Sequence, residues 1–107
     1  MKDATGKAMD LQQLVTDVCR VHDVHVRTKG VRPDAAWYLL KVVEELGELT
    51  QAYLRKTRGT ASSSGLEGTD KACAVECADV LCHVLLFAEK SGIDIVEAIR
   101  EKWLSYL

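Results

Sequence analysis

Proline is nearly absent from this chain of 107 residues: Pro33 is the only one. Strand-like alternation is scarce as well, so little competes with helical periodicity along most of the sequence. No long apolar run is present. The longest, around residues 80–88, is far too short to span a bilayer and is broken by His83. The stretch from Met1 to Ala8 is polar and lacks the apolar centre of a signal peptide. Basic residues are not in excess either. The 14 Lys and Arg against 16 Asp and Glu leave a formal net charge of -2, which argues against a dedicated nucleic-acid surface. A small phosphorylated ligand is not excluded, because one or two local cations suffice for it. A cytoplasmic location is the default expectation. There Cys19, Cys73, Cys77 and Cys82 should stay reduced. CxxC spacing is missing, so Cys73, Cys77 and His83 make a weak zinc set, and the cysteines read as small apolar side chains.

What is present is an ordinary globular mixture, 48% hydrophobic and 28% charged, of a length that suits one domain. So short a chain buries a limited core, and oligomerisation is the common remedy. Residues 1–9 read as a flexible leader and residues 10–107 as a single all-α domain. Asp10 with Gln13 resembles a capping box, and Leu11, Leu14, Val15, Val18 and Val21 follow at helical spacing. The pattern predicts a first helix to about Val26, ended by Lys29-Gly30. A second helix starts at Pro33 or Asp34 and runs to about Thr57, with a basic end that suits the helix dipole. Residues 60–68 are rich in Ser, Thr and Gly and read as a mobile connector, with a lid as the alternative. The third helix should span Thr69 to about Ser91-Gly92. Asp94 with Glu97 opens a fourth. No stop signal closes that helix, so it is expected to reach Leu107, and to run on if the chain does.

The chemistry-bearing segments are Glu44-Glu45-Leu46-Gly47-Glu48 and Glu76-Cys77-Ala78-Asp79. Residues three apart on a helix are surface neighbours, so Glu45 and Glu48 share one side of the second helix, and Glu76 and Asp79 one side of the third. The first pair lies on a stripe with Tyr38, Val42, Leu49 and Ala52. The second lies on a stripe with Ala72, Cys73, Val80, His83 and Phe87. Solvated charge runs normally occupy the polar face instead. If the two stripes face each other, four carboxylates converge where desolvation is costly and no matching set of cations is at hand. A divalent metal is the natural compensation. Mg²⁺, which takes oxygen ligands and keeps several waters, suits a site that also holds phosphates, with Mn²⁺ as a substitute. Glu44 points about 100° away from Glu45. It stands as a carboxylate behind the ligands, a base, or an exposed group.

These segments resemble the EExxE…ExxD signature of MazG-like nucleoside triphosphate pyrophosphohydrolases. The likeness covers Lys41 to Leu54 and Glu76 to Lys102, including the Gly92-Ile93-Asp94 turn. The resemblance implies a four-helix all-α bundle completed by oligomerisation as a homodimer or homotetramer. It also implies Mg²⁺ dependence and release of pyrophosphate from a nucleotide. The metal ligands it implies are Glu45, Glu48, Glu76 and Asp79, with Lys102 in the last helix on phosphate. Three positions depart from the pattern: His83 where relatives often carry Tyr, Tyr106 where they often carry Asn, and Arg55 where some carry Trp. The departures concern base recognition rather than the metal.

The expected reaction is in-line attack of water on a triphosphate, with Glu45 or Glu48 orienting or deprotonating it. Lys102 would hold phosphate charge, and Tyr38, Trp37 or His83 would pack on the base. Phosphoribosyl-ATP pyrophosphohydrolase shares these features with a different substrate. A non-catalytic helical adaptor would bind partners without turnover. A di-iron carboxylate bundle would need Glu-x-x-His pairs, which this chain lacks.

Overall fold

The computed structural model describes residues 1–2, 5–30, 33–58 and 69–107, and no strand is found among them. Four α-helices follow in order: α1 (Leu11–Lys29), α2 (Ala35–Arg58), α3 (Asp70–Lys90) and α4 (Ile95–Lys102). Local chemistry sets their ends. Asp10, Asp34, Thr69 and Asp94 each accept a hydrogen bond from the backbone N–H three residues on, satisfying a donor that the first helical turn leaves open. Gly30 closes α1 at φ 67°, in the left-handed region that costs glycine nothing. The Ser-rich segment 60–68 lies outside the described residues. In the leader, Met9 N–H donates to the Met1 carbonyl at 2.8 Å, folding that stretch back on itself.

The fourth helix is shorter than its pattern predicts. It stops at Lys102, and Leu104–Tyr106 tightens into a 3₁₀ turn. Trp103, Leu104, Tyr106 and Leu107 are all exposed. With no packing partner for its apolar side, the last turn has only local hydrogen bonds to hold it.

Helices α2 and α3 pack along their length, α1 lies against α3, and α4 touches the end of α3. The core is small: Val15, Tyr38, Ala52, Leu85, Leu86 and Ala88. The radius of gyration is 16.1 Å, where a compact chain of this length has about 13 Å. The accessible surface is 7991 Å², where a compact monomer has about 5,900 Å². No helix among the described residues is long and apolar enough to cross a membrane.

Helix α2 carries a second apolar stripe. Leu39, Leu40, Val43, Leu46 and Leu54 are all exposed. At 100° per residue they flank Val43 on the side opposite Tyr38, Glu45 and Ala52. Gly47 lies within this stripe, and a Cβ there would meet nothing within 4 Å.

Candidate metal centre

The antiparallel packing of α2 on α3 brings the two acidic pairs together. Carboxylate oxygens of Glu45, Glu76 and Asp79 lie within 4.8 Å of one another. Glu48 is not in that group, although it lies close enough to raise the pKa of both Glu45 and Glu76. Three of the four expected carboxylates therefore share one locus, and Glu48 stands beside it.

Their environments differ. Glu45 is the one buried charged residue among those described, at 7% exposure. Glu76 and Asp79 are half-buried, and Glu48 is exposed. Glu48 sits at the rim of the packed face of α2, so its side of the cluster opens to solvent rather than to a closed interior. Burial raises the pKa of Glu45, and the neighbouring Glu48 raises it further, against the opposing pull of His83 and Lys41. Burial also raises that of Glu76, followed by the charges of Glu48 and Asp79. Oε2 of Glu45 and Oε2 of Glu76 are both buried without any hydrogen-bond partner. A native fold satisfies nearly all such atoms. Two orphan oxygens in an all-oxygen donor set fit a hard divalent cation.

Beside the cluster is a cavity of about 310 Å³ whose wall includes Glu45, Lys41, Trp37, His22, His25 and His83. The chain's three histidines all line it. His83 Nδ1 bonds the backbone carbonyl of Asp79 at 2.7 Å. His22 Nε2 lies 2.7 Å from the Tyr38 hydroxyl. Tyr38 is fully buried, and its ring meets Trp37 edge-on at 5.1 Å. It supports the wall of the cavity rather than forming part of its surface. Burial pushes the His22 pKa down and the Tyr38 pKa up, so both are neutral at pH 7.

Lys41 lies one helical turn before Glu44 and Glu45 on α2. Its Nζ lies 3.2 Å from Glu44 Oε2 and 3.5 Å from Glu45 Oε1. Burial alone would lower its pKa, but the Glu44 and Glu45 carboxylates hold it above the usual lysine value. Glu44 is exposed and meets Lys41, not the acidic cluster. Lys102 is exposed at the end of α4, on neither the cluster nor this cavity. Arg55 and Tyr106 are exposed too. Among the described residues no cysteine joins a metal-ligating group. Comparison of the chain with protein-family models, with curated proteins and with solved structures finds no match.

Proposed function

We propose that the chain is a Mg²⁺-dependent nucleoside triphosphate pyrophosphohydrolase, converting a triphosphate and water to the monophosphate and pyrophosphate. One observation carries the reading: the buried Glu45 and its neighbour Glu76 each hold an orphan carboxylate oxygen at a shared locus. A solvated surface patch would not leave them so, and the Lys41 pair on Glu45 reaches only the other oxygen of that carboxylate. Glu45, Glu48, Glu76 and Asp79 would hold the cation, which when bound supplies charge neutralisation for phosphate oxygens and a water of lowered pKa. Glu48, at the open rim, reaches solvent and is the carboxylate best placed to orient the attacking water and accept its proton. Breaking the α–β anhydride then releases pyrophosphate. His83 and Trp37 line the adjoining cavity, which is of a size to take the base.

The outer stripe of α2 supports self-association. Leu40 and Val43 are 68% and 64% exposed. Their row, continuous with Leu39, Leu46 and Leu54, is of the kind that a second copy of the chain buries. A homodimer or homotetramer would also give Lys102 a route to a neighbouring chain's site.

The test is pyrophosphate release across the common NTPs and dNTPs, and from phosphoribosyl-ATP, with Mg²⁺, Mn²⁺ and EDTA. Turnover with either metal and none with EDTA is expected. Turnover confined to phosphoribosyl-ATP would move the assignment to that substrate. A helical adaptor would turn over nothing, and that outcome would remove the enzymatic reading.

A further inference from the structure

Among the described residues the acidic group carries more negative charge than its neighbours neutralise. Among the described residues, one ion pair reaches the four carboxylates, that of Lys41 with Glu45. This lysine is placed unusually. Its side chain is 25% exposed, and its ammonium lies between Glu44 and Glu45. It also sits 5.8 Å from the centre of the Trp37 ring, close enough for a cation–π attraction. Lys41, Trp37 and Glu45 all line the same cavity. The ammonium thus stands where the cluster and the cavity meet.

Glu45 presents two different oxygens. Oε1 has Lys41 at 3.5 Å, whereas Oε2 is buried and unpartnered. A divalent cation on that carboxylate would place a like charge beside the ammonium. Lys41 has somewhere to go, because Glu44 is exposed, already bonded to it, and not in the acidic group. The four-carbon stem of lysine allows a rotation from one carboxylate toward the cavity without any backbone movement.

We propose that Lys41 is the resident counter-ion of Glu45, and that it yields this carboxylate to the metal and turns its ammonium into the cavity to hold a phosphate of the substrate. The inference rests on the metal site proposed above. It makes Lys41 a competitor of the cation and a partner of the anion, so its removal has opposite effects on the two. A lysine with a merely structural role would not split them.

Calorimetric titration of the purified full chain tests this with Mn²⁺ alone, and then with inorganic pyrophosphate added to the Mn²⁺-loaded protein. Lys41→Met keeps the length and helix preference of the side chain and removes its charge. It should bind Mn²⁺ about fivefold more tightly, the scale of one partly screened charge neighbour. It should bind pyrophosphate about tenfold more weakly, the scale of one charge-assisted hydrogen bond. Lys41→Arg, which keeps the charge, should restore most of the pyrophosphate affinity. If Lys41→Met leaves both affinities unchanged, or weakens Mn²⁺ binding, the role of Lys41 is overturned while the metal site stands. If the wild-type chain binds no Mn²⁺, the metal site and this inference fall together.

Discussion

His83 Nδ1 and the backbone carbonyl of Asp79 are 2.7 Å apart. A carbonyl only accepts, so the ring must donate through Nδ1. In the neutral ring this leaves the Nε2 lone pair as an acceptor, on a side chain that lines the cavity. The same bond ties the ring orientation to a residue of the acidic cluster. His83→Leu should therefore lower kcat/KM by about fivefold to tenfold, the worth of one hydrogen bond. Mn²⁺ affinity should change by less than about threefold, because the carboxylates stay in place. Steady-state kinetics beside a metal titration would check the split. A parallel collapse of metal binding would instead make His83 a ligand.

The raised pKa values of Glu45 and Glu76 carry a stability consequence with a definite sign. Both groups hold their protons more tightly in the folded chain than in the unfolded one. The stabilisation is present below the ordinary carboxylate value and is lost as pH rises through the folded values. The metal-free protein should therefore lose stability across that window. Glu45→Gln removes the ionisable group, so it should flatten this slope and stabilise the metal-free protein near pH 7 by on the order of 1–3 kcal/mol. The same variant should lose more Mg²⁺ affinity than the roughly 10–100-fold that an outer partner of a ligand is worth. Thermal melts from pH 4 to 8, with EDTA and with Mg²⁺, would measure both. A variant less stable than wild type in EDTA would show that the Lys41 pair outweighs the burial cost of Glu45.

Tyr38 and His22 form a polar link between α1 and α2, at 2.7 Å. Tyr38→Phe keeps the ring and its packing on Trp37 but leaves the half-buried imidazole without this partner. The cost should be about 1–3 kcal/mol, read from urea denaturation at pH 7.5. His22 has its pKa lowered by burial. Its contribution is present above the ordinary imidazole value of about 6.5 and is lost as pH falls through the folded value. NMR titration of the His22 ring should place its midpoint below that of a free imidazole. A midpoint at or above it would contradict the burial argument.

The parts of this architecture that depend on near neighbours were readable in the sequence. Asp10 with Gln13 and Asp94 with Glu97 marked two helix starts, and each aspartate does cap the residue named with it. The spacing of Glu45 with Glu48, and of Glu76 with Asp79, put each pair on one side of its helix. That the pairs meet required the stripes to face each other, and Glu45, Glu76 and Asp79 do come together. The His22–Tyr38 bond and the cavity depend on how α1 lies across α2 and α3, and helical periodicity says nothing about that angle, whereas the Lys41 contacts with Glu44 and Glu45 lie within one turn of α2. Glu48 shows the same limit: a stripe of about 100° contains its edges as well as its centre, and Glu48 is at an edge. The end of α4 was misread because the chain offers no stop signal there, whereas the helix ends at Lys102 with Trp103 and Leu104 exposed.

The outer stripe of α2 gives the sharpest test of assembly, because one of its members should act in two directions. Gly47 lies in the interior of a helix, where glycine is less favourable than alanine by about 1 kcal/mol. Its backbone needs no positive φ, and a Cβ there meets nothing in the chain. Gly47→Ala should therefore stabilise the isolated chain by about that amount. If a second copy packs on Val43 and Leu46, the missing Cβ lets two helices approach closely, and the same substitution should weaken association. Val43→Glu should abolish association outright by burying an unpaired charge. Sedimentation velocity over a concentration series would read the association, and chemical denaturation of the dilute protein would read the stability. Wild-type chain that stays monomeric at high concentration would show that something other than a second copy covers this stripe.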